Sequence, residues 1–566
     1  MMHDLGWGEA APPSWAMAAL GLLACVPAEE EPSRRVVDTA PPASASVTIV
    51  PSQPSAREAL QCVITPPSPH HVRWTVDGVP FVGSGTTHPG DTVPAGVTDW
   101  GEHWTCTAVP DDLSARPASA EVMTSEPPGG NVLVVLLDDV GLDKVGAYGL
   151  HPSPPPTPNL DALSEAGVRF TNAYAAPVCS AARANLLTGR YGRRTGIGDT
   201  VRVGGTYELR PSEVTLPELL DVAPQRWSTS MVGKWHLSGF DTPTGVDLPN
   251  VQGFAWFSGV MGNITEMTQA DGAPISYDHW EKTTNGTQRF VDRYLTTDQI
   301  DDALARVEAM PEPWLLYLPL SAPHSPLHVP PESLHTSTAD FSANQKADYY
   351  DAMLEAADTE LGRLLAGIGP ERLARTTVIV AGDNGTPDHS IRPPWSSSRG
   401  KATLFDGGTR VPLLVTGPHI GEPGRTEPAL VHLVDIWPTV ADIAGVFADT
   451  VLGADGLPVV LDGHSLMPLL SSSDAAWPRE YLYVERFFPN GHPPYSEIDT
   501  QAVRTHRYKL IRDGGVDRLY RYEADALDEG PDLFADVLDP EAERAYYELS
   551  RELDRLSGNL VYSQAE

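Results

Sequence analysis

The stretch NVLVVLLDDVG, from Asn131 to Gly141, decides the fold. Val132 to Leu137 is an unbroken apolar run. A strand buried on both faces reads this way, as in parallel sheets covered by helices. The run ends in Asp138 and Asp139. In open α/β sheets the site lies beyond the carboxyl ends of the strands. Two adjacent carboxylates there suit a hard divalent cation, which takes oxygen ligands. Aspartate is also common in ordinary turns after strands, so the pair alone is a weak signal.

Other segments repeat the pattern. TTVIVAGDNG is a second buried run, ending in Asp383 and Asn384 within a glycine-bounded turn. PWLLYLPLSAPHSPLHVP is a third, with His324 just past its end. STSMVGKWHL carries Lys234 and His236, which share a face if the chain is extended. SSRGKATLFDGGTRVPLLV places Lys401 in a glycine-flanked loop. Helical segments alternate with these strands: TPNLDALSEAGVRF, LTTDQIDDALARVEAM and ADYYDAMLEAADTELGRLLAGI. Strand–helix alternation predicts an α/β fold, a sheet flanked by helices.

Between the first strand and these partners lies CSAARANLLTGR, Cys179 to Arg190. In a helix Cys179 and Arg183 share a face, and Gly189 is a stop signal. A thiol at a helix N-terminus beside a cation would be activated. A small cysteine buried in an alanine-rich helix is the plainer reading.

Composition narrows the function. The chain has 566 residues, with 75 acidic against 39 basic and a formal charge of −36. That balance argues against binding nucleic acid, which requires a basic face. It leaves room for an anionic small substrate, because a local cluster of cations reverses the field within a cleft. The 54 prolines and 49 glycines indicate many loops.

Four cysteines occur, at 25, 62, 106 and 179. MAALGLLACVPAEEEPSRR, from Met17, has a short apolar run ending in LLAC. It resembles a bacterial lipoprotein signal with Cys25 as the lipidated residue, although no Lys or Arg precedes the run. An ordinary cleaved signal is the alternative. Either implies export, to the periplasm, the cell surface or the medium. From Ser44 to Met123 short alternating strands predict an all-β unit. There Cys62, Trp74 and Cys106 resemble the Cys…Trp…Cys pattern of an immunoglobulin-like sandwich, with a Cys62–Cys106 disulfide. The expected organisation is a leader (1–43), this sandwich (44–123), a linker (124–130), a catalytic domain (131–472) and a C-terminal subdomain (473–566).

From Asn131 onward the chain resembles a type I, formylglycine-dependent sulfatase of the alkaline phosphatase superfamily. DDVG, TPNLDALSEAGVRFTNAYA, CSAARANLLTGR, GKWH, APHSP, GDNG and GKATLFDGGTRVP follow in the family order. Ala181 takes the Pro/Ala position of the signature, and Ala182 replaces the usual serine. The resemblance implies a mostly parallel sheet flanked by helices, with a smaller antiparallel subdomain at the C-terminus. It implies that Cys179 is converted to formylglycine by a formylglycine-generating enzyme. A hydrate oxygen would attack the sulfur of a carbohydrate or aryl sulfate ester, and sulfate would leave as the aldehyde re-forms. Asp138, Asp139, Asp383 and Asn384 would hold a divalent cation, calcium in most of the family, with magnesium the alternative. Arg183 would stabilise the hydrate. Lys234, His324 and Lys401 would contact the sulfate or the leaving oxygen, with His324 as general acid and His236 as proton acceptor. Competing readings are a phosphate or phosphonate ester hydrolase of the same superfamily, and a surface protein that only captures anions.

Overall fold

The computed structural model describes residues 46–559, apart from 53, 55–58, 66, 68, 82–89, 95–96, 99–100, 112–115, 125–129, 268–273 and 524–526. The leader with Cys25 and most of the expected linker lie outside the described residues. The described residues divide into two compact units: those within 46–52, 60–93 and 104–121 form one, and those within 53–59, 94–103 and 122–559 the other.

The first region contains strands β1 (Ser46–Val50), β2 (Leu60–Thr65), β3 (His70–Val76), β4 (Val79–Pro80), β5 (Thr92–Val93), β6 (His103–Pro110) and β7 (Ala118–Met123). They form two sheets, ordered β1-β2-β5 and β4-β3-β6-β7. Along β6, Trp104, Cys106 and Ala108 are buried and their neighbours are not, the period-two pattern of a half-buried strand. Cys62 on one sheet is joined to Cys106 on the other by a disulfide. Trp74 lies opposite Cys106 and packs edge-on against Trp104, ring centres 6.2 Å apart.

The second unit is organised on a ten-stranded sheet. Its strands are β8 (Asn131–Leu137), β9 (Val168–Tyr174), β10 (Ser228–Lys234), β11 (Trp256–Val260), β12 (Trp280–Thr284), β13 (Thr287–Val291), β14 (Trp314–Pro319), β15 (Thr376–Gly382), β16 (Leu413–Thr416) and β17 (Arg425–His432). Their order is β13-β12-β11-β10-β14-β8-β15-β16-β9-β17. The run β11-β10-β14-β8-β15 is parallel throughout. β12, β13 and β16 pair antiparallel. β8 has a strand on each side and every residue of it is buried, which is why its sequence shows no alternation.

Helices over Leu295–Ala309 and Lys346–Ile368 match the predicted periodic segments. Each buries one stripe, such as Ile300, Ala303 and Val307 in the former. The segment TPNLDALSEAGVRF differs from its helical reading: the helix stops at Ala166, and Val168 opens β9. Gly167 marks the change, because a Cβ there would lie 2.1 Å from the carbonyl oxygen of Val415 on the neighbouring strand.

Beyond the large sheet, β18 (Leu482–Phe488), β19 (Ile498–Arg504), β20 (Tyr508–Asp513) and β21 (Val516–Arg521) form an antiparallel meander. The helix Pro540–Asn559 packs Leu549 and Leu553 into a core with Tyr483, Val503 and Leu510. No described helix is long and apolar enough to cross a membrane.

Candidate active site

Four adjacent strands, β10, β14, β8 and β15, deliver their carboxyl ends to one place. β8 supplies Asp138 and Asp139, and β15 supplies Asp383 and Asn384. His324 follows β14, and Lys234 ends β10. The strands approach closely where the glycines fall: a Cβ on Gly233, at φ +134°, would sit 2.0 Å from the Pro319 carbonyl oxygen. His236 does not share an extended face with Lys234, because the chain bends there into φ +63°. Its backbone N–H donates to the Met261 carbonyl at 2.9 Å. The ring is fully buried, with no hydrogen-bond partner for either nitrogen among the described residues.

The helix Cys179–Thr188 is buried along its whole length. Gly189 ends it in the left-handed conformation, φ +68°. Val178 precedes the helix and offers no side-chain cap, so its first N–H groups are open to an anion. The Cys179 thiol lies 3.2 Å from Asp138 Oδ1 and 3.8 Å from Asp139 Oδ1, and Lys401 Nζ approaches to 3.4 Å. Burial first, then the negative charge of Asp138 and Asp383, pushes the thiol well above its ordinary pKa. That direction opposes the activation expected of a thiol at a helix N-terminus.

Charges are tightly interlocked. Lys234 Nζ binds Asp138 Oδ2 at 2.5 Å, and Lys401 Nζ binds Asp139 Oδ1. Arg183 donates from Nη1 to the Lys234 carbonyl at 2.7 Å and from Nη2 to Asp383 Oδ2 at 2.9 Å, with Asp138 Oδ2 at 3.3 Å. Burial by itself would raise Asp138, but Lys234, His324, Arg183 and Lys401 outweigh it and hold the carboxyl well below its usual range. Asp383 goes the other way: burial and the neighbouring Asp138 raise it to about 7 despite Arg183. His324 donates from Nδ1 to the Ser325 carbonyl at 2.9 Å, which turns Nε2 toward Asp139 Oδ2, 3.8 Å away. Burial and then Lys234 lower its pKa.

The donor set fits a hard cation. Ligand atoms of Asp138, Asp139, Cys179 and His324 all lie within 4.8 Å of one another. Asp383 is tied in through Oδ1, which accepts the Asp139 N–H at 2.9 Å. Asn384 Nδ2 donates to Asp139 Oδ1 at 2.8 Å, and its Oδ1 is buried with no hydrogen-bond partner. Buried polar atoms are rarely left unpaired, and an unmet amide oxygen next to these carboxylates is an oxygen donor available to a cation.

Some supporting residues were not legible in the sequence. Asp139 sits at φ +69°, an uncommon conformation for a residue with a side chain. Tyr350, from the helix Lys346–Ile368, donates its hydroxyl to the Asp139 carbonyl at 2.6 Å. Thr386 Oγ1 accepts the Gly141 N–H at 3.1 Å and donates to Asp143 Oδ1 at 2.6 Å. Tyr277 donates to the carbonyls of Ser321 or His324, each 2.7 Å away. In the sequence Tyr350 is one more buried position of a helical period, with nothing to separate it from core.

Carboxylates and cations gather at strand ends around a helix N-terminus, an arrangement able to hold an anionic group. Residues 130–446 match the Sulfatase family, and residues 399–558 match the family described as N-sulphoglucosamine sulphohydrolase, C-terminal. Arylsulfatase A of Homo sapiens is 32% identical over 427 residues, covering 69% of this chain and 76% of its own. N-acetylgalactosamine-6-sulfatase of Canis lupus familiaris is 31% identical, covering 60% and 67%. Among solved structures, Ps i-CgsB in complex with k-i-k-neocarrahexaose superposes with a TM-score of 0.62 at 24% identity, over 76% of this chain and 93% of that one. The chain therefore belongs to the sulfatase family, as a type I sulfatase of the alkaline phosphatase superfamily, and it is a sulfuric ester hydrolase.

Proposed function

We propose that the chain hydrolyses sulfate esters of carbohydrates or aryl alcohols, with formylglycine at position 179 and a divalent cation held by Asp138, Asp139, Asp383 and Asn384. The observation that carries this is the gathering of Asp138, Asp139 and Lys401 around Cys179, with Lys234 and Arg183 bound to Asp138, at the signature position of a chain that belongs to the sulfatase family. Residue 179 as formylglycine would supply a hydrate oxygen as nucleophile, and a cation held by Asp138, Asp139, Asp383 and Asn384 would offset negative charge there. The relatives named as arylsulfatase and N-acetylgalactosamine-6-sulfatase support the substrate classes.

The chain's own residues then divide the work. Lys234 and Lys401 flank the position of the sulfate oxygens and offset their charge. Arg183, anchored by Asp383 and the Lys234 carbonyl, holds its guanidinium beside the nucleophile's helix. His324 has its Nδ1 proton committed to Ser325, so Nε2 is the atom that gives a proton to the leaving alcohol. A sulfate bound between the lysines raises the His324 pKa that burial and Lys234 depress, which loads that proton when substrate arrives. His236, buried and neutral, accepts a proton as sulfate is expelled. The N-terminal β-unit, with its inter-sheet disulfide, is read as an immunoglobulin-like spacer, and the Cys25 leader as an export signal with a lipid anchor.

Two measurements test the proposal. Mass spectrometry of the tryptic peptide carrying residue 179, from protein made beside a formylglycine-generating enzyme, should find the aldehyde, and an intact thiol in active enzyme would refute it. The kcat/KM for an aryl sulfate should exceed that for an aryl phosphate diester, and the reverse order would favour the phosphate ester hydrolase.

A further inference from the structure

Away from the site around Cys179 lies a cavity of about 830 Å³ whose wall includes Arg410, Arg504, His506, Arg507, Arg521 and Glu523. None of its lining residues belongs to the active site. We propose that this cavity is a second, non-catalytic oxyanion site that takes a sulfate group, either as the released ion or as a pendant group on the sulfated chain. The pendant alternative rests on the carbohydrate reading above, and the free-ion alternative does not.

The floor is built before any ligand arrives. Arg410 and Arg504 are 6% and 3% exposed. Both are held by the buried Asp406, at 3.5 Å and 3.2 Å. Arg410 Nε donates to the Thr171 carbonyl at 2.7 Å and its Nη1 to Asp406 Oδ2 at 3.5 Å. A guanidinium has five N–H donors in a planar fork, so one fixed at Nε and Nη1 still presents a pair to an oxyanion. The rim is looser: Arg507 pairs with Glu541 and Arg521 with Asp539, through side chains 61%, 43%, 22% and 50% exposed. Pairs that exposed contribute little and exchange readily for a bound anion.

Charge supports the assignment. Four arginines share one cavity with Glu523 as the carboxylate of the wall, in a chain whose formal charge is −36. His506 is an exposed residue of the cavity wall, where partial desolvation, then Arg504 and Arg410, lower its pKa. The volume lies in the range of about 300–1,000 Å³ typical of small-ligand pockets, enough for a sulfated sugar unit.

The test uses the full chain carrying Cys179→Ala, so that nothing turns over, with isotope-labelled histidine. His506 is followed by NMR, its signal assigned by loss in His506→Gln. Added inorganic sulfate or a sulfated oligosaccharide should give a saturable shift and raise the His506 midpoint by about one pH unit. Adding Arg507→Gln and Arg521→Gln should abolish that response while the thermal midpoint holds. Saturation by the oligosaccharide at a concentration about tenfold below that of inorganic sulfate assigns the pendant group, and the opposite order assigns the free ion. No shift from either at about 50 mM overturns the site, and so does a shift that survives the double substitution. Failure of the enzyme to hydrolyse carbohydrate sulfates would remove the pendant alternative and leave the histidine result standing.

Discussion

Two buried charge clusters, one around Asp138 and one around Asp406, use nearly the same side chains to opposite ends. Near Asp138 stand Asp139, Asp383, Lys234, Lys401 and Arg183. Near Asp406 stand Glu529, Lys509, Arg504 and Arg410. Asp406 is saturated: it accepts from Lys509 and Tyr522 at 2.9 Å, Tyr174 at 3.1 Å and Arg504 at 3.2 Å. The first cluster leaves both ring nitrogens of His236, Nε of Arg183 and Oδ1 of Asn384 without partners. In the second the exception is Glu529 Oε2. Unmet polar atoms in a buried cluster leave hydrogen-bonding capacity for a ligand. A saturated cluster instead ties β19 and β20, through Arg504 and Lys509, to the segment that follows Lys401.

The sharpest way to break the comparison is to remove one member from each side. Cys179→Ala should lower kcat by about 10⁴-fold or more and leave the thermal midpoint nearly unchanged. Asp406→Asn should do the reverse. It uncovers buried Lys509 and Arg504, so denaturant unfolding should show a loss of about 3–5 kcal/mol, the cost of breaking a buried pair. If Asp406→Asn left stability intact and removed activity, the division between the clusters would collapse.

Smaller substitutions refine it. Tyr350→Phe deletes the hydroxyl that holds the Asp139 carbonyl and nothing else. Calorimetric titration with Ca2+ should show affinity weakened about tenfold, as for other residues that orient metal ligands. The cation-free thermal midpoint should barely move, and a large fall in midpoint with unchanged affinity would assign Tyr350 to packing.

The smallest effect concerns pH. Burial raises Glu529 to about 8 from an ordinary 4.5, with Lys509 opposing and Asp406 reinforcing the rise. Between those values the folded chain keeps a proton that the unfolded chain has lost. This group's contribution to stability is present at low pH and declines as pH rises through the window. Glu529→Gln should make the fall in unfolding free energy from pH 5 to pH 8 shallower by about 1 kcal/mol or more. An unchanged slope would mean that Glu529 is ionised against Lys509, and that the second cluster is more completely paired than its orphan oxygen suggests.

Much of the candidate site was legible because its residues sit at strand ends, and a buried strand announces itself locally. Asp138, Asp139, Asp383 and His324 each follow an apolar run, and the helix at Cys179 is bounded by its own glycine. The extended pairing of Lys234 with His236 was misread, since a left-handed bend at His236 leaves no mark in GKWHL. GVRF was read as the tail of a helix, since the contact that excludes a side chain at Gly167 comes from Val415, far along the chain. Tyr350 and most of the Asp406 cluster were invisible for the same reason: the hydrogen bonds from Tyr350 to Asp139, and from Arg504 and Lys509 to Asp406, join residues more than ninety positions apart.

What the sequence by itself determined is the buried strands β8, β10, β14 and β15, the polar turns that follow them and the resemblance to the family, because hydrophobic period and turn chemistry act over a few residues. Only the tertiary structure decided strand order, which cation faces which carboxylate, and the rise in the Cys179 pKa. Those depend on burial and on distances between side chains remote in the chain, and electrostatic energy in a dry interior changes steeply with both.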